Sequence, residues 1–407
     1  MRVEAWVIAA VGLCVGASGA GLWRLYANDS HPDAYRADGL DSSGQAVDCE
    51  SVPTRFKDAC RTIDVEGATV RYALISGEPA SADGAVLLDL GGPGVAALGP
   101  NGASDVLGYL REGIGDRPVI ILEEPWVTAP ESERCWKAGR RYVEQVLVEG
   151  TRAADLQSSC FEETTFGWTP ALYAQAVRRI LERHGMALEG FIGVSFASVR
   201  LSYLHVQPQW AILNSPFPLN LSLKEILTHQ RPYVERNAAR LMALGEPTDP
   251  RTLHAVSLGL VEADEDELDR TRAELPTLAR RAIGAYGSDA LSLGRLAFFQ
   301  EFCPIAGPPP RSSGEDSDAL LNAVFSPCRD VARVSRTIQI PTTTCVVYSH
   351  ADRQIPPDTM AAWARDIGAR SEALDGHAHG AFELFEACMD VAAGDPAPQA
   401  RIGAQSG

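Results

Sequence analysis

The sequence predicts a mostly parallel, doubly wound α/β sheet interrupted by a helical insertion, and three observations carry that expectation. Short apolar runs recur at residues 85–90 (AVLLDL), 118–122 (PVIIL), 188–194, 210–213 (WAIL) and 342–348 (TTTCVVY). Each is too short for a buried helix, and strands covered by helices on both faces read as continuous apolar runs. Helical signals lie between them. The rhythm then stops between about residues 218 and 335, where the sequence turns helical and charged, and it resumes at Pro341.

Taken in order, the chain opens with Arg2 and an apolar stretch over residues 5–26, followed by polar sequence from Ala27. Its length suits either a cleaved signal peptide, with Ser18 and Ala20 near a cleavage site, or a retained membrane anchor. Lipidation at Cys14 is disfavoured by the bulky Leu13, and a buried helix by the apolar character all round. Export is the expectation, secreted or anchored, with the folded part outside the cytoplasm. Residues 1–30 are assigned to that segment and 31–48 to a polar linker. A first core part follows over 49–217, then a helical cap over 218–335, a second core part over 336–395, and a flexible tail over 396–407.

Residues 62–65 and 68–75 flank Glu66-Gly67 and predict a hairpin. A helix is predicted from Thr169, a capping residue, through Pro170 in the first turn to Gly185 at the end. Tyr173, Ala176, Val177, Ile180 and Leu181 give it one apolar face. The acidic run at residues 262–269 (EADEDELD) reads as a solvated helix face.

Composition limits the function. The net charge of −17 opposes nucleic-acid binding, which needs clustered cations. Of nine cysteines, Cys14 falls in the apolar stretch. The other eight are Cys49, Cys60, Cys135, Cys160, Cys303, Cys328, Cys345 and Cys388. In an exported chain an even number reads as a disulfide set, most simply paired between sequential neighbours. The alternative leaves Cys345 and Cys388 as buried free thiols. None shows zinc-type spacing, so no metal site is expected.

Chemistry centres on Gly193-Val194-Ser195-Phe196-Ala197. A serine between a buried strand and a helix sits on a sharp turn that presents its hydroxyl, and the positions two before and two after are crowded. The second of these is Ala197 rather than glycine. Leu90-Gly91-Gly92-Pro93-Gly94 follows a predicted strand, so Gly92 and Phe196 are the candidate backbone donors to a developing oxyanion. A phosphate loop is the competing reading, weakened because no Lys-Ser/Thr follows. Asp352 follows the run at 342–348, and His379 follows a further short strand. The order serine, acid, histidine is that of α/β-hydrolases, with Ser195 as nucleophile, His379 as base and Asp352 as its orienting acid.

These motifs together resemble the proline iminopeptidase and tripeptidyl aminopeptidase group of α/β-hydrolases, over roughly residues 49–390. The placing of Cys49 with Cys60, and of Cys303 with Cys328, is similar to the exported tripeptidyl branch. The resemblance implies a cofactor-free serine hydrolase that releases residues from peptide N-termini, its cap shaping the substrate site. It assigns the base to His379 and gives His377 no set role. Acidic cap residues hold the peptide ammonium in such enzymes, which makes Glu301 a candidate. The chain departs where the group has Asp-Pro-Arg-Gly: here the stretch is Glu124-Pro125-Trp126-Val127-Thr128. An esterase, or a degenerate hydrolase fold that only binds, is the alternative. The expected partner is a short peptide or small molecule, and the membrane is met only through the N-terminal segment.

Overall fold

Glu66 and Gly67 both take left-handed backbone, φ +49° and +83°, and fold β1 (Cys60–Val65) antiparallel onto β2 (Ala68–Ile75). The computed structural model describes Cys49 and residues 52–393, apart from residues 76–83, 100–102, 130, 150–154, 163, 244–248, 264–267, 269–274, 285–290 and 311–315. The N-terminal apolar stretch, the linker and the tail therefore lie outside the described residues. Among the described residues no helix is long and apolar enough to cross a membrane.

The apolar runs form the centre of the sheet as β3 (Gly84–Asp89), β4 (Val119–Leu122), β5 (Ala187–Val194), β6 (Trp210–Asn214) and β7 (Thr343–Ser349), and β8 (Arg370–Leu374), a partly exposed strand, forms the edge beyond β7. Strand order is β1-β2-β4-β3-β5-β6-β7-β8. Only β2 runs against its neighbours; β4, β3, β5, β6, β7 and β8 are mutually parallel. This is the strand order of the α/β-hydrolase fold, which the chain adopts.

Alternate side chains of the strands enter two separate cores, which is why these runs show no polar face. Val86, Leu88, Ile121 and Ile192 pack with Val106 and Leu110 of α1 (Ala103–Ile114) and with Phe385 near the C-terminus. Ala85, Leu87, Ile120 and Phe191 face the other way, toward α2 (Glu133–Glu144) and α3 (Pro170–His184). The predicted signals of α3 hold: Thr169 accepts the Leu172 N–H at 3.1 Å, and Gly185 ends the helix at φ +65°. A short helix, α4 (Ala197–Leu201), follows β5.

Between β6 and β7 the described residues form α5 (Leu223–Ala243), α6 (Pro250–Gly259), α7 (Leu275–Gly284), α8 (Leu293–Ala306) and α9 (Asp316–Val324). After β7 come α10 (Pro357–Asp366), β8, a 3-10 segment (Phe382–Cys388) and α11 (Met389–Ala393).

Four disulfides join sequential neighbours: Cys49–Cys60, Cys135–Cys160, Cys303–Cys328 and Cys345–Cys388. The free-thiol alternative for the last pair is therefore set aside. Such bridges fit an oxidising, extracytoplasmic compartment.

The acidic run departs from expectation at its first residue. α6 stops at Gly259, and Glu262 lies half-buried in the turn beyond it, where it accepts the Arg353 backbone N–H at 3.0 Å. It is no solvated helix face. Residues 264–267 and 269 of the run lie outside the described residues.

Candidate active site

β5 ends at Val194, and Ser195 turns the chain into α4 with a positive φ of +54°. A non-glycine residue there is uncommon and is held by its surroundings. The Ser195 N–H donates to the Asn214 carbonyl at 2.8 Å, and the Ser195 carbonyl accepts the Phe217 N–H at 2.9 Å. Both partners belong to the neighbouring strand β6 and its exit. Ala197 fits because position 193 is glycine: a Cβ at Gly193 would stand 2.8 Å from the Ala197 Cβ. One methyl is accommodated between these two positions, not two.

The structure brings Ser195, His379 and Asp352 together from the ends of β5, β8 and β7. His379 Nε2 lies 2.9 Å from Ser195 Oγ, and His379 Nδ1 lies 2.6 Å from Asp352 Oδ2. All three are buried. A carboxylate only accepts, so Nδ1 carries the proton, and Nε2 of the neutral ring accepts from the serine O–H. The second oxygen of Asp352 accepts the N–H groups of Gln354 and Ile355 at 2.9 and 2.8 Å, which fixes the carboxylate. The His379 loop hangs from the end of β6: Ser215 Oγ accepts the Gly380 N–H at 2.9 Å, and Asn214 Nδ2 donates to the Ala381 carbonyl at 2.8 Å. His377 is half-buried two residues earlier.

Two contacts of the insertion with this site bear on the acid loop and the elbow. One is at the acid loop. Besides Glu262, the Arg353 guanidinium donates to the Ala263 carbonyl at 2.9 Å, and His229 Nε2 of α5 lies 3.0 Å from the Asp352 carbonyl. Burial, and next the nearby Asp352 carboxylate, push the Glu262 carboxyl up to about 8. The other is Phe196, whose ring lies 5.3 Å from that of Phe217 and 6.2 Å from that of Phe302 on α8.

The glycine loop after β3 lies against the elbow. A Cβ at Gly91 would stand 2.0 Å from the Val194 carbonyl and 3.0 Å from the Phe196 nitrogen, so only glycine allows this approach. Gly92 and Phe196 thus belong to two backbone segments in close contact.

Behind the loop is a buried cluster that sequence reasoning did not find. Arg200 of α4 meets Asp89 from the end of β3, Glu124 after β4 and Glu301 on α8. All four side chains are buried. Arg200 donates to both oxygens of Glu301 at 2.9 Å, to Asp89 at 3.1 Å and to Glu124 at 2.5 Å. Tyr173 donates to the other oxygen of Asp89 at 2.6 Å. Burial is the main reason that Glu124 is pushed up to about 8, with Glu301 adding to it and Arg200 opposing; Glu301 is raised by the same burial. Glu301, the candidate for an ammonium, is therefore already bound on both oxygens by Arg200. Glu124, where the chain departs from the group's motif, pairs with an arginine of the elbow helix.

No protein-family model and no curated protein matches the chain. Solved structures do. VinJ is 19% identical, over 82% of this chain and 96% of that chain, at a TM-score of 0.39. The esterase RhEst1 from a Rhodococcus species is 13% identical, over 82% and 98%, at 0.39. A proline iminopeptidase-related protein from Thermus thermophilus is 16% identical, over 82% and 98%, at 0.37. The fold itself is shown by the strand order and by where Ser195 sits in it.

Proposed function

We propose that this chain is an exported serine hydrolase in which Ser195 attacks a substrate carbonyl, His379 takes its proton, and Asp352 holds the imidazole. Water, activated by the same histidine, then releases the acyl group. The observation that carries the reading is His379 within hydrogen-bond reach of both Ser195 and Asp352, each at the end of its own parallel strand. The backbone N–H groups of Gly92 and Phe196 are the proposed oxyanion donors. For substrate, the resemblance favours an aminopeptidase-like enzyme acting on short peptides.

A second reading, an esterase, gains from one observation: Glu301 is committed to Arg200 and is not left to hold a peptide ammonium. A panel of free aminoacyl anilides, N-blocked peptide anilides and simple nitrophenyl esters separates the two. Preferred turnover of free-amino anilides supports the peptidase. Cleavage of esters alone removes it.

A further inference from the structure

Three backbone atoms of the glycine loop that follows β3 are held by groups that meet at one guanidinium. Asp89 Oδ1 accepts the Gly91 N–H at 2.7 Å, and Arg200 donates to the Gly91 carbonyl at 2.9 Å. Glu124 Oε2 accepts the Gly94 N–H at 2.7 Å. Asp89 and Glu124 are themselves ion-paired to Arg200, which Glu301 grips at two nitrogens. Arg200 stands on the short helix that begins directly after Phe196, and its own N–H donates to the Phe196 carbonyl at 3.4 Å. One side chain therefore ties the loop carrying Gly92 to the segment carrying Phe196.

Such an arrangement is more than an ion pair in the core. Placing several carboxylates around one arginine out of water is costly, and a hydrophobic cluster would fill the space at less risk. What the charged cluster supplies is directed bonds to the N–H and carbonyl groups of a glycine loop that has no side chains to anchor it. We infer that Arg200, with Glu124 and Asp89, is a positioning device that sets the spacing between the two halves of the oxyanion site. This inference rests on the proposed Ser195 chemistry and concerns a residue that touches neither substrate nor the reacting atoms.

Above about pH 8, where Glu124 is ionised, its carboxylate accepts from Gly94 and from Arg200 at once, one donor on each oxygen. A carboxamide accepts on only one, so Glu124→Gln must release either the loop or the guanidinium. Arg200→Lys replaces a fork by a point donor that cannot span the three carboxylates and the Gly91 carbonyl.

The test measures, at a pH above about 8 where Glu124 is ionised, kcat, KM and the inhibition constant of a boronic acid that forms a tetrahedral adduct with the serine. Loss of one oxyanion donor lowers turnover about 100- to 1,000-fold elsewhere. For Glu124→Gln the expectation is a kcat about tenfold lower and a boronate constant about tenfold higher, with KM within about threefold. Arg200→Lys is expected to show a larger loss of the same kind. A merely structural role would lower the melting temperature and the folded fraction, while leaving kcat per titratable serine unchanged. If Arg200→Lys does not fold, Glu124→Gln decides. Wild-type kcat and boronate affinity in folded Glu124→Gln overturn the positioning role and leave Ser195 untouched. Wild-type protein with neither turnover nor serine labelling instead overturns the hydrolase reading beneath it.

Discussion

Glu262 accepts the backbone N–H of Arg353, at 3.0 Å, one residue beyond Asp352. A second carboxyl thus borders the acid loop, supplied by the insertion and not by the sheet. It holds its proton to about pH 8. Above that pH a negative charge appears beside Asp352 and His379 and favours the imidazolium that forms as Ser195 is deprotonated. The expected kcat profile rises a few-fold through an ionisation near pH 8, and Glu262→Gln removes that component while its carbonyl still accepts from Arg353. Superimposable profiles for wild type and Glu262→Gln would remove Glu262 from the chemistry.

The same carboxyls bear on stability. Glu124 and Glu262 are pushed up to about 8 from an ordinary value of 4.5. Between those values the folded chain keeps protons that the unfolded chain has released, so stability falls as pH rises through 8. The melting temperature is expected to drop between about pH 5.5 and 8.5, and less steeply in the double variant Glu124→Gln/Glu262→Gln. Asp249 and Asp390, lowered by hydrogen bonds to Thr252 and Arg370, act in the opposite sense only at more acid pH. Equal slopes for both proteins would refute the assignment.

His379, not His377, is the base in this account. His379→Ala should abolish turnover and probe labelling, whereas His377→Ala should retain most of both. Loss from His377→Ala equal to that from His379→Ala would show that the half-buried neighbour does more than stand beside the base.

Each disulfide closes a loop of 11, 25, 25 or 43 residues. By the chain-entropy estimate each contributes about 3–4 kcal/mol. Denatured but unreduced protein should yield no alkylated cysteine among these eight, and reduction should lower the melting temperature sharply. Alkylation of Cys345 or Cys388 before reduction would contradict the last bridge alone.

The strands and the three triad positions were legible because each has a local signature. Apolar runs mark strands buried on both faces, and Ser195 and Asp352 each follow one, while His379 follows the partly exposed edge strand β8. The Arg200 cluster has no such signature. Its members lie at positions 89, 124, 200 and 301, on four elements that only the folded sheet brings together. Nothing local marks Arg200 as buried, Glu124 stands only as a departure from the group's motif, and Glu301 only as a candidate acid. Glu262 was hidden in an acidic run whose charge density signals solvent. Burial of a charge is decided by tertiary packing, which periodicity does not report.

The most direct measurement is labelling by a fluorophosphonate probe, with the modified peptide identified by mass spectrometry. Stoichiometric modification of Ser195 is expected, lost in Ser195→Ala and His379→Ala and reduced by several orders of magnitude in rate in Asp352→Asn. Folded wild-type protein that takes up no probe, or Ser195→Ala that labels as fast as wild type, would contradict it.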